Sequence, residues 1–151
     1  MTVIQKIEHW GDLHHAKWLD AVRIMLGVLI FGKGIAIVGN TASLQDLLLQ
    51  NNVYSFSGMM ASLLVHIVGF AHLVGGLFIV LGLLTRFAVV IQIPILLGAV
   101  FFVNLSRGFS FLNSELWLSI IVLMLLILFW VIGSGPFSVD YQMKKKHRSL
   151  D

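Results

Sequence analysis

Apolar positions along this chain gather into four long runs, at 19–38, 59–84, 87–103 and 116–132, with polar residues collected between them. Each run is roughly 17 to 25 residues, the length a helix needs to cross a hydrocarbon core about 30 Å thick. Runs this continuous do not fit the alternating strands of a membrane barrel, and lipid offers no partner to an unpaired backbone group, so helices are predicted. The expected architecture is all-α: an integral membrane four-helix bundle, up-down, forming a single domain over residues 1–151.

The polar stretches refine this outline. The connection 39–58 mixes Asn, Ser and Gln with Leu47, Leu48, Leu49 and Phe56, a pattern expected to fold back as a half-helix or cap. The connection 104–114 ends in Asn113 and Ser114 ahead of Glu115, which predicts a helix start with an acid in its first turn. Ahead of the first run, Val3, Ile7, Trp10 and His14 recur at helical spacing opposite Lys6, Glu8, Asp12 and Lys17. Residues 1–17 are therefore expected to form an interfacial helix or a flexible tail. The first run carries Arg23 and Lys33 and is followed by no small-residue cleavage pattern, so it is expected to remain in the mature protein.

Composition turns the runs into a statement about solvent. With 58% hydrophobic and 11% charged residues and a mean hydropathy of +0.95, the apolar surface requires a lipid bilayer. A net charge of +3 would suit nucleic acid, but the basic residues sit mainly at the ends of apolar runs rather than in a patch, with Arg107 the one loop cation on the other side, and no nucleic-acid partner is expected. Lys6, Lys17 and Arg23 precede or open the first run, Arg86 lies between the second and third, and Lys144, Lys145, Lys146 and Arg148 follow the fourth. Retention of positive charge on the inner side then places both termini in the cytoplasm, makes 133–151 a basic cytoplasmic tail and suits a bacterial inner membrane. Trp18, Trp130 and Tyr141 near the inner boundary, and Tyr54 and Trp117 near the outer one, agree with this. The chain has no cysteine, which removes disulfides, thiolate metal sites, iron–sulfur clusters and CxxC redox chemistry.

Polar side chains at membrane depth are the candidates for function. They are Arg23, Lys33, His66, His72 and Gln92. At about 100° per residue, His72 shares a face with Gly69 and Gly76, Arg23 with Gly27 and Gly34, and Gln92 with Ala88 and Ala99, so these three are expected to point into the bundle. His72 falls near the midplane, Lys33 and His66 roughly 8 Å to the outer side, and Arg23 and Gln92 roughly 6 to 8 Å to the inner side. Pro94 frees the Val90 carbonyl and is expected to kink the third helix. Each candidate also has a plain structural role. Arg23 is able to snorkel or pair with Asp20, Lys33 to snorkel outward, and His66 and His72 to bond neighbouring carbonyls.

No acid lies inside a run: Asp20, Asp46, Glu115 and Asp140 all sit at ends or in connections. Arg23 and Lys33 are therefore expected to be complemented by an anionic or quinone-like ligand, an acidic group on a partner subunit, or lipid phosphate. A bis-histidine haem fits poorly, because His66 and His72 lie on one helix about 120° apart and one haem cannot join them within a subunit. His14 and His15 are too short of further ligands for a metal site. A homo-oligomer or a partner protein subunit is expected.

Three segments carry a resemblance to a known family: Arg23 to Lys33 in the first run; His72-Leu-Val-Gly75-Gly76 through Gly82-Leu-Leu-Thr85-Arg86 in the second; and Gly133-Ser-Gly135-Pro-Phe-Ser138-Val-Asp140 after the fourth. Over most of its length the chain resembles the DoxX-like small membrane proteins, which include the DoxD subunit of thiosulfate:quinone oxidoreductase. The resemblance implies a four-helix membrane subunit, linked in some relatives to quinone-coupled sulfur oxidation or to oxidative-stress complexes. The family's pattern has glutamate before the Gly-Gly pair, where this chain has His72, so a site built on that carboxylate is altered or absent. Three readings follow: the membrane subunit of a quinone-linked oxidoreductase with a polar intramembrane pocket, a small-solute carrier, or a non-catalytic assembly subunit.

Overall fold

The computed structural model describes residues 17–50, 57–104, 114–133, 135 and 137–148. Its elements are all helical: α1 (Lys17–Gly39), α2 (Thr41–Gln50), α3 (Gly58–Leu81), α4 (Thr85–Gly98) with a π-helical continuation (Ala99–Asn104), α5 (Ser114–Ile132) and α6 (Val139–Arg148). The interfacial segment expected over residues 1–16 lies outside the described residues.

Glycines decide how the longest helices meet. A Cβ on Gly76 of α3 would stand 2.6 Å from the Phe31 amide nitrogen of α1, and one on Gly27 would stand 2.7 Å from the Val80 nitrogen. At Gly34 the obstacle would be the Leu73 nitrogen at 2.8 Å, while Gly69 lies against Ile37 and Val38. The pairing of 27 with 76 and 80, and of 37 and 38 with 69, makes α1 and α3 antiparallel, in backbone contact along most of their length. Without a hydrophobic force between helices in lipid, such close approach is a main source of association.

The α3–α4 connection is tight for a local reason. Gly82, at φ +66°, ends α3 with Gly82 N–H bonded to Ile79 O and Leu83 N–H to Phe78 O, the reciprocal pair of a Schellman stop. Leu84 follows with φ +46°, a left-handed conformation that costs a branched residue energy and has to be held from outside. Around these joints Leu26, Ile30, Ile79, Val89, Leu126 and Phe129 form a closed apolar core.

Three helices, Trp18–Gly39 (22 residues), Gly58–Leu81 (24) and Ser114–Ile132 (19), are long and apolar enough to cross a membrane. Their outward positions, such as Met25, Ile67, Phe70 and Met124, are exposed, an apolar coat suited to lipid. The third run differs from expectation. Its α-helical part has only 14 residues, and Pro94, which removes one bond from the ladder, is followed five residues later by the wider π turns. The connection after α1, over its described residues, folds back as expected: after a turn at Asn40 the chain re-forms a helix, α2, that packs against α3. The start of the expected tail bonds back onto the bundle through Phe137 and Asp140, at the beginning of α6.

The glycine contacts carry a direct test. Gly76→Ala would drive a methyl into backbone and is expected to cost about 1–3 kcal/mol, lowering the thermal midpoint of the detergent-purified protein. Gly32→Ala adds its methyl into open space and is expected to leave that midpoint unchanged or raised.

Candidate functional site

The polar residues sort into two separate places. The first is a half-open cleft of about 750 Å³ walled by α1, α2, α3, α4 and α5, with Lys33, Asn40, Ser43, His72, Glu115 and Ser119 as its polar lining among mainly aliphatic side chains. That volume suits a small organic ligand.

Most of this polar lining is already engaged. The Lys33 ammonium pairs with Glu115, joining α1 to the start of α5 with both side chains about half exposed. Asn40 Nδ2 donates to Ala36 O at 2.9 Å, and Ser119 Oγ donates to Glu115 O at 2.8 Å. Each turns its polar group back onto its own helix. His72 is 4% exposed, and its Nδ1 lies 2.9 Å from the Val68 carbonyl one turn earlier. Among the described residues no protein group bonds its Nε2, yet that atom is not fully enclosed. His72 itself is part of the cleft lining.

The second place is the opposite end of α1, where the chain beyond α5 folds back. Arg23 is 1% exposed and Asp20 4%. Arg23 Nη1 stands 3.4 Å from Asp20 Oδ1, an ionic contact wider than an aligned hydrogen bond. Both side chains then take hold of one residue: Phe137 N–H donates to Asp20 Oδ2 at 3.3 Å, and Arg23 Nη2 donates to Phe137 O at 3.3 Å. Three residues on, the Asp140 carboxylate accepts from Leu84 N–H at 2.8 Å and Thr85 N–H at 3.1 Å, while its own N–H donates to Gly82 O at 3.1 Å. The left-handed Leu84 is thus fixed by an acid 56 residues away. Ser138 starts α6 as its cap, with Oγ accepting from Tyr141 N–H at 3.1 Å and donating to Gly135 O at 2.7 Å. Arg86 completes the clasp: its Nη2 donates to Val131 O at 3.4 Å near the C-terminus of α5, where a cation is favoured. Its guanidinium lies against Gly133, where a Cβ would stand 3.1 Å from it.

Of the five candidates, only Lys33 and His72 share the cleft. Gln92 is 1% exposed and its Nε2 donates to Ala71 O at 2.6 Å, in space that a side chain on Gly75 would fill. It serves the α3–α4 joint. His66 lies on the exposed surface of α3 with Nδ1 2.7 Å from Ser62 O, away from the small-residue face. The expectation that an outside group must neutralise Arg23 and Lys33 is corrected: Asp20 and Glu115 do so within the chain. The Asp20 pairing is the plain role the sequence offers Arg23; the Lys33 pair is hidden from it because Glu115, at the start of α5, reaches a cation inside the run of another helix. The clasp residues Asp20, Arg86, Ser138 and Asp140 were not candidates. Ser138 and Asp140 gave one local signal, a capping serine with an acid in the next turn.

With this geometry established, a family model described as DoxX matches residues 18–105, more than half of the chain. The stretch 133–140 lies beyond the match, so its likeness to the family rests on its motif alone. No curated protein and no solved structure matches the chain.

The clasp predicts a hierarchy of losses. Asp20→Ala strands Arg23 in an enclosed site and is expected to cost about 3–5 kcal/mol, whereas Asp140→Ala, which removes caps, costs about 1–2 kcal/mol. The double variant Asp20→Leu/Arg23→Met is expected to unfold later than Asp20→Ala alone, measured by thermal midpoint in one detergent.

Proposed function

The chain belongs to the DoxX family of membrane proteins, and on that premise we propose that it is the membrane subunit of a quinone-linked oxidoreductase that receives its lipid-soluble ligand in the α1–α5 cleft. One observation carries this reading: His72 presents an unengaged, accessible nitrogen inside an otherwise aliphatic cleft of suitable volume. The residues fit a quinone-class group, with aliphatic walls for the ring and its prenyl tail, one enclosed hydrogen-bonding group, and the Lys33–Glu115 pair at the mouth. When bound, such a group would supply two-electron, two-proton carrier chemistry. His72 orients the ring head and the aliphatic walls exclude water. The chain has no cysteine for an iron–sulfur or dithiol relay, so the centre that exchanges electrons with the ligand is assigned to a partner subunit.

Topology belongs to the same proposal. The 14 residues of α4 and the 6 of its continuation total 20, about 28 to 30 Å at about 1.4 to 1.5 Å per residue, which supports a fourth crossing and an up-down bundle. Arg23, Arg86 and α6 gather at one end and the neutralised Lys33 at the other, which favours the clasp end as cytoplasmic. An assembly role is favoured for the clasp itself, where Asp20, Arg23, Arg86 and Asp140 each bond a distant part of the same chain.

Gentle purification followed by mass spectrometry of extracted lipids is expected to recover an isoprenoid quinone with the wild-type protein. His72→Leu is expected to lower the loading of the hydroxyl-bearing form of that lipid several-fold, while His66→Ala leaves it unchanged. Equal loading in wild type and His72→Leu contradicts the proposed site.

A further inference from the structure

The ring orientation of His72 fixes which form of the ligand the cleft prefers. Nδ1 faces the Val68 carbonyl at 2.9 Å. A carbonyl only accepts, so Nδ1 carries the ring proton, and Nε2 of the neutral ring is left as a lone-pair acceptor. His72 is the one buried polar residue of the cleft lining, since Lys33 and Ser119 are partly exposed and Asn40, Ser43 and Glu115 are exposed. The enclosed part of the wall therefore offers an acceptor and no donor.

A quinone head carries carbonyl oxygens, which are acceptors as well. Setting one against Nε2 would bring two lone pairs together and leave both unsatisfied in a dry site. A hydroquinone head carries hydroxyls, and one of these donates to Nε2 directly. Resting on the reading of the cleft as the ligand site, we propose that it is selective for a hydroxyl-bearing ring, the reduced form of a quinone-class ligand, over the carbonyl form. His72 is the specificity-determining group.

One satisfied hydrogen bond set against one unsatisfied pair corresponds to a preference of about tenfold. For a two-electron couple, a tenfold tighter grip on the reduced form raises the bound midpoint potential by about 30 mV. A subunit with this bias suits a protein that collects or retains reduced carrier.

The test uses the full chain in lipid nanodiscs without oxygen. It compares equilibrium binding of a short-tailed benzohydroquinone, its quinone and the dimethyl ether of the hydroquinone. The hydroquinone is expected to bind about tenfold tighter than both others, and His72→Phe to abolish the difference while changing quinone affinity less than about twofold. If His72→Phe does not fold, His72→Gln, whose amide both donates and accepts, is expected to level the two redox forms. Equal binding of hydroquinone and quinone by the wild type, or a preference that survives either substitution, overturns the selectivity and leaves the cleft as a ligand site. Failure of all three probes to bind overturns the selectivity and the proposed function together.

Discussion

A guanidinium enclosed among apolar helices has to find its counter-charge within a few ångströms, and the contact between Arg23 and Asp20 meets that demand one turn along the same helix. An i, i+3 pair alone would leave unsatisfied oxygens and N–H groups on both partners. The chain answers by bringing its own later segment to them, so that Phe137 is held by its N–H on Asp20 and by its carbonyl on Arg23. Once residue 137 is fixed there, Asp140 falls where it can cap the strained turn between α3 and α4, and Arg86 where it meets the end of α5. Neutralising one buried cation thus ties the first helix, the central turn and the end of the last long helix into one unit.

With that end closed, the helices are free to part toward the other. There the only charged tie between α1 and α5 is, among the described residues, the half-exposed Lys33–Glu115 pair, a kind of contact worth about 0–1 kcal/mol. The glycine contacts keep α1 against α3, and α2 folds back onto α3 as a further wall. A cleft therefore opens among α1, α2, α3, α4 and α5, with His72 of α3 in its wall. The closed end supplies rigidity and the open end supplies room.

The sequence made the helices legible because lipid imposes a length and an apolar continuity that few other structures share. It also showed the inward faces of His72, Arg23 and Gln92, since small residues at helical spacing mark where helices touch. Partnership was hidden. Asp140 caps Leu84 across 56 positions and Glu115 reaches Lys33 across 82, and nothing local announces such distances. Membrane depth alone made His66 a candidate, and its exposed position on α3 shows that depth without a shared small-residue face does not turn a side chain inward. The division between polar groups that hold the bundle and the one that faces the cleft needed the hydrogen bonds themselves.

The central claim is that the cleft around His72, and not the lipid-facing surface or the clasp, is where this protein meets a small amphipathic ligand. Photolabelling in native membranes with a diazirine-bearing quinone analogue, followed by peptide mapping, tests this most directly. The account predicts adducts on the cleft segments 29–48, 64–72, 95–99 and 115–122 that excess unlabelled hydroquinone competes away. Adducts confined to outward residues such as Met25, Phe70 and Met124, or cleft adducts that no competitor reduces, would contradict it.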